Sequence, residues 1–218
     1  MDGGVVCMSP QLLIFDLDGT LIDSRADLAE GINHMRAHYN LPALDFEIVS
    51  SYIGNGMQRL VERSLQGAAV DVEEALDIYR TYYYSHLTVH TTLYDGVQAG
   101  VPRLREAGHK LALLTNKPGD PSREILKYFG LDGYFSAMLG GGDIDALKPH
   151  PDGVFKCLRI TGMDAADSWM IGDHYTDLSV AENAGVKSAF VQYGFGEERG
   201  YKPTVYFASF SELVGYFV

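Results

Sequence analysis

The sequence predicts an α/β fold, a parallel sheet flanked by helices and interrupted early by an all-helical insertion. Three observations carry this. The run Leu12–Phe15 is wholly apolar and ends in an acidic turn, as expected of a strand buried on both faces at the centre of a parallel sheet. From residue 91 onward, strand-like runs alternate with helical stretches of about a dozen residues, the rhythm of right-handed βαβ units. Between residues 23 and 90 only helical patterns occur. The predicted organisation is therefore a sheet-bearing unit built from residues 1–22 and 91–218, with a helical unit at 23–90.

The elements follow in order. Ser24 with Asp27 resembles a capping box for a helix running towards Tyr39. A second helical stretch spans Asp45 to Gln66 and is interrupted by "GNG" at 54–56. Asp71 with Glu74 signals another helix start, and that helix ends near "YYYSHL". "VPRLREAG" reads as helix and "KLALLT" as strand. "DPSREILKYFG" opens with Asp120 as N-cap and Pro121 at the first helical position, and stops at Gly130. "YFSAMLG", "SWMIGD" and "KSAFVQY" read as strands, separated by the helices "DGVFKCLRITG" and "TDLSVAENAG". "TVYFA" is a last short strand and "SELVGYF" a closing helix.

Composition narrows the function. Of 218 residues, 46% are hydrophobic and 21% charged, an ordinary globular mix. The net charge of −12, from 17 basic and 29 acidic residues, argues against nucleic acid and anionic membranes as partners, because both need a basic footprint. No run has the length of a membrane-spanning helix. The start "MDGGVVCMSPQ" has no basic region before an apolar one, so no signal peptide is expected and the expected location is cytoplasmic. Two cysteines, Cys7 in this tail and Cys157 on a predicted helix, make neither a disulfide framework nor a thiol metal site.

In open parallel sheets ligands bind beyond the carboxyl ends of the strands, so the residues after each strand sample one site. Asp16 and Asp18 follow the first strand. Thr115 and Asn116 follow "KLALL". Lys148 lies in "LKPHP", past "SAMLGGGD". Asp173 follows "SWMIG", with Asp177 one helical turn later. Several hard oxygen ligands with open positions suit Mg²⁺, which bridges phosphate oxygens. With the metal and Lys148 neutralising a phosphoryl group, one carboxylate can attack phosphorus, and a second can protonate the leaving alkoxide and then activate water. Taken alone, Asp16 and Asp18 would make an ordinary acidic turn after a strand, and Lys148 a solvated surface lysine.

"DLDGTL", "LLTNKP", "LKPHP" and "IGDHYTDLSVAENAG" resemble, in order, the four motifs of the haloacid dehalogenase superfamily of phosphohydrolases, over most of residues 12–191. The resemblance implies a Rossmann-like core with residues 23–90 as a helical cap domain. It implies Asp16 as nucleophile, Asp18 as general acid/base, and Thr115 and Lys148 as partners of the phosphate and the nucleophile. It implies a Mg²⁺ site formed by Asp16, Asp173 and the backbone carbonyl of Asp18, with Asp177 behind it holding a metal-bound water or Lys148. "LIDSRADLAEGIN", "YIGNGMQRLVERSL" and "LYDGVQAGVPRLREAG" are most similar to phosphoglycolate phosphatases, which makes 2-phosphoglycolate the leading substrate among small phosphate esters.

The cap positions remain open at this level. Gly54, Asn55 and Gly56 either interrupt a helix or form a loop over the substrate, with Arg59 as an anion contact. Asn116 either donates to substrate or shapes its loop. Tyr82, Tyr83 and Tyr84 read as cap packing, and His150 and His174 as loop positions. A 5′-nucleotidase, a pyrophosphatase and a β-phosphoglucomutase-like sugar phosphomutase share the motifs. A phosphorylated receiver domain, the rival from another class, is disfavoured because its nucleophile lies mid-chain and it has no place for a helical insertion. The sequence does not specify an oligomeric state.

Overall fold

The structure, a computed structural model, describes residues 9–218; Cys7 lies outside them. Strand β1 (Leu12–Phe15) is fully buried and sits at the middle of a six-stranded sheet. The other strands are β4 (Lys110–Pro118), β5 (Phe135–Gly141), β6 (Ser168–Gly172), β7 (Lys187–Val191) and β8 (Val205–Phe207), in the spatial order β5-β4-β1-β6-β7-β8, and every pairing is parallel. Strand alternation divides the core into two layers. Leu13 and Phe15 pack on one face with α5 (Val97–Glu106), α6 (Gly119–Tyr128) and α9 (Phe210–Phe217). Leu12 and Ile14 pack on the other with α7 (Asp152–Thr161) and α8 (Tyr175–Ala184). Because β4 and β6 flank β1 and the chain winds outward on both sides, the strand order reverses at β1. That is where a doubly wound sheet opens a crevice at its carboxyl edge.

The helical insertion holds α1 (Arg25–His38), α2 (Phe46–Ser50), α3 (Met57–Ser64) and α4 (Val72–Tyr84). "GNG" does interrupt the second helical stretch, since Gly54 and Gly56 adopt φ of 104° and 90°, a region that side-chain-bearing residues rarely enter. Asp71 caps α4 through a bond from the Glu74 amide. The two ends of the insertion pair with each other as a short antiparallel ribbon, β2 (Ile22–Asp23) with β3 (Thr92–Leu93). Buried Asp27 fastens α1 to the returning chain by accepting from the His90 amide (2.9 Å) and from the Thr91 amide and hydroxyl (2.8 and 2.7 Å).

Two expected caps are replaced. No capping box forms at Ser24: its hydroxyl donates to Asp18 at 2.5 Å, and Asp27 is spent on the returning chain. Both residues are drawn into tertiary contacts that local spacing does not reveal. Helix α6 begins at Gly119 rather than after Asp120, so Asp120 and Pro121 lie within the first turn, with Asp120 paired to Arg123 at 2.6 Å.

Candidate active site

Asp16 follows β1 directly, and its amide still donates to Ile171 of β6, so the sheet ladder fixes where the carboxylate leaves the strand. Its Oδ1 accepts from the Leu17 amide (2.7 Å) and lies 3.0 Å from the Lys148 ammonium. Lys148 also reaches Asp177 Oδ1 at 2.6 Å, and both of these side chains are essentially inaccessible. Asp173 directs Oδ2 at the Phe195 and Gly196 amides, at 2.9 and 2.7 Å. Asp177, in the first turn of α8, completes a capping box with His174, accepting from the His174 amide at 3.1 Å. Gly19 makes the approach possible: at φ 82°, a Cβ there would lie 2.0 Å from Asp173 Oδ2.

Carboxylate oxygens of Asp16, Asp173 and Asp177 all lie within 4.8 Å of one another. Three buried acids share a site with one ammonium, which pairs with only two of them, Asp16 and Asp177; the excess negative charge registers in proton affinity. Burial pushes Asp16 up to about 6, the carboxylates of Asp177 and Asp18 add to the rise, and Lys148 opposes it. Asp173 is held well above the usual carboxylate range by burial and by Asp177 and Asp16. Burial alone would lower Lys148, but Asp16 and Asp177 outweigh it and raise it. Among the described residues Asp16 Oδ2 and Asp173 Oδ1 accept no hydrogen bond, so one oxygen of each is left for a cation. Hard oxygen donors, surplus negative charge and unspent lone pairs fit a divalent metal.

Asp18 sits beyond Asp16, bonded to Ser24 and, at 3.0 and 3.2 Å, to the Lys117 ammonium. Lys117 was not anticipated. It lies two residues past Thr115 within β4, and the period of a strand is the signal that would have found it. Asn116 spends its amide on structure, donating to the carbonyls of Gly54 and Lys148 (3.0 Å each) and accepting from the Lys148 amide (2.8 Å). It braces both the lysine and the helical insertion.

Asp16, Asp18, Thr115, Asn116 and Lys117 form the floor of a small cavity of about 40 Å³, roofed by Gly54, Gly56 and apolar residues of the insertion. Tyr79 and Tyr83 of α4 complete the roof, so Tyr83 does more than pack the insertion. Arg59 is not brought here: its side chain is 67% exposed and pairs with Glu62 on the same helix. The Asn55 amide also turns away, to the Tyr175 hydroxyl and Arg63. Helix α3 presents its N-terminal Gly56 and Met57 to the cavity, which places Arg59 on another face. His174 does lie in the turn between β6 and α8, but as the buried N-cap of α8; burial pushes it down to about 4, so it is neutral near pH 7. His150 stays exposed.

A doubly wound α/β sheet whose switch point gathers buried, perturbed acids and a buried lysine defines an enzyme of the α/β class with an acid-centred site. Residues 13–191 match the haloacid dehalogenase-like hydrolases, and the chain belongs to that family. The phosphoglycolate phosphatase of Colwellia psychrerythraea is 35% identical over 215 residues, covering 94% of this chain and 95% of that one. The phosphoglycolate phosphatase of Neisseria gonorrhoeae is 36% identical over 86% of this chain and 82% of its own. Among solved structures, a predicted phosphoglycolate phosphatase from Haemophilus somnus superposes with a TM-score of 0.92 at 30% identity, covering 97% of this chain and 99% of that one. No helix of the described residues is long and apolar enough to cross a membrane.

Proposed function

We propose that this chain is a Mg²⁺-dependent phosphatase that hydrolyses a small phosphomonoester, 2-phosphoglycolate foremost, through a phosphorylated Asp16. The observation that carries the reading is the pairing of acids at one cavity. Asp16 is held by Lys148 at 3.0 Å, and Asp18, two residues on, faces the same space. An oxygen of Asp16 attacks phosphorus as the ester oxygen departs. Asp18 gives that oxygen a proton, then takes one from the water that cleaves the Asp16–phosphate bond. Lys148 and the Thr115 hydroxyl hold phosphoryl oxygens, Lys148 being kept in place by Asp177 and by the Asn116 brace. Mg²⁺ bound by Asp16, Asp173 and the Asp18 carbonyl would offset the charge of the phosphoryl group against that of the acids.

Residues 23–90 serve in this reading as a cap, and the β2–β3 ribbon as its hinge. Closure shuts out bulk water and leaves a cavity that suits a leaving group of few atoms. The names of the relatives support 2-phosphoglycolate. The test is phosphate release from a panel of phosphomonoesters, with Mg²⁺ and with excess chelator. Metal-dependent release, fastest on 2-phosphoglycolate, is expected. Undiminished turnover in chelator would refute the metal, and preference for a bulky sugar or nucleotide ester would refute the substrate.

A further inference from the structure

Two phenols of the cavity roof have nothing to bond to. Tyr79 and Tyr83 are fully buried, both line the cavity, and neither hydroxyl has a hydrogen-bond partner. A buried donor left unpaired is costly, so two such groups side by side at a cavity wall call for a reason. Their spacing of four places both on one face of α4, and the rings lie nearly parallel, 5.6 Å apart. Burial first, then neighbouring charges including Asp18, raise both phenols well above their ordinary value. They are donors at any working pH.

The other nitrogen-bearing side chains of the cavity are engaged. Lys117 holds Asp18, and Asn116 holds Gly54 and Lys148. No cation of the insertion compensates, because Arg59 pairs with Glu62 in solvent, and Arg63 bonds the Tyr52 carbonyl and the Asn55 side chain. The remaining roof is carbon, from Leu28, Ile53, Met57 and Leu60. Helix α3 adds a positive end here, since its N-terminal Gly56 and Met57 line the cavity and no side chain caps it. Two unpartnered neutral donors on residues that line the cavity, with a helix N-terminus beside them, match one ligand feature, a carboxylate with two accepting oxygens.

We infer that Tyr79 and Tyr83 are the specificity determinants of this site, donating their hydroxyls to the carboxylate of a short phosphorylated hydroxy acid. The inference rests on the phosphatase reading above. It assigns recognition of the leaving group to α4 and to neutral donors. A cationic residue in such a closed space would pair with Asp18, as Lys117 does.

The test compares 2-phosphoglycolate with ethyl phosphate, which keeps the two-carbon chain and lacks the carboxylate, in wild-type protein and in Tyr79→Phe, Tyr83→Phe and the double variant. A hydrogen bond to a charged group is worth about 1.5–3 kcal/mol, so each variant should lose roughly 10- to 150-fold in kcat/KM on 2-phosphoglycolate. Ethyl phosphate should change by no more than about 2-fold. Thermal stability should hold or rise, because the hydroxyl removed has no partner in the free protein. Equal losses on both esters would make the tyrosines scaffold and overturn the inference, as would an undiminished preference for 2-phosphoglycolate in the double variant. Calorimetric binding of 2-phosphoglycolate to the same chains carrying Asp16→Asn separates this from the reaction itself. Binding weakened at least 10-fold by the Phe substitutions upholds the inference even if no ester is turned over, and absent or unaltered binding overturns it.

Discussion

Replacing Lys148 by methionine removes the only ammonium within reach of Asp16 and Asp177 among the described residues while nearly preserving side-chain volume. The ammonium lies 3.0 Å from one carboxylate and 2.6 Å from the other, with 1% of the lysine side chain exposed, so solvent screens little of the loss. Breaking a buried pair from one side costs about 3–5 kcal/mol, and Lys148→Met should lose that much stability in urea unfolding at about pH 7.5 with chelator. The sign with pH follows from Asp16, already pushed up to about 6 from 3.8. A raised acid binds more protons folded than unfolded, so its cost is absent below the unfolded value and complete above the folded one. Without Lys148 the folded value climbs further. The deficit should therefore shrink as pH falls from about 7.5 towards 5, and it should shrink again when saturating Mg²⁺ replaces the missing positive charge. A deficit indifferent to both pH and metal would be one of packing, and would refute the view that Lys148 acts here by its charge. Wild-type stability in chelator at both pH values would refute it too.

Asp16→Asn should lose on the order of 10⁴-fold or more in turnover; near-wild-type phosphate release would move the nucleophile elsewhere. The same variant should be at least as stable as wild type in chelator above about pH 6, because it removes a negative charge the site resists. Asp18→Asn should lose roughly 10²- to 10⁴-fold, read by steady-state rates on 2-phosphoglycolate. Gly54→Val should slow every ester: the position has φ 104°, and a Cβ there would meet the His174 ring at 2.9 Å, propping the insertion away from the core. Equal rates for Gly54→Val and wild type would show that closure is not needed. Arg59→Ala should change kcat/KM by less than about 2-fold and stability by less than about 0.5 kcal/mol, as expected of an exposed residue.

What sequence alone determined here is what short-range patterns encode. Leu12–Phe15 could be placed at the centre of a parallel sheet because a strand covered on both faces admits no polar alternation. The acids, Thr115 and Lys148 could be assembled on paper because strand ends in a parallel sheet share one edge. The helical insertion was legible as helix, and "GNG" as a break, because glycine and helical period are local signals. What only the tertiary structure decided is which face of each helix meets the core. A spacing of four residues on one helix places Tyr79 and Tyr83 over the cavity, whereas the consecutive Tyr82, Tyr83 and Tyr84 scatter around the helix. Arg59 and Met57 share a helix, yet the roll of α3 gives the cavity Met57 and solvent Arg59. Ser24 and Asp27 have capping-box spacing, but Asp18 and the chain at residues 90–91 claim them across the fold. Lys117 shares the strand period of Thr115, but its pairing with Asp18 rests on the register of β1 beside β4, which only the tertiary structure sets.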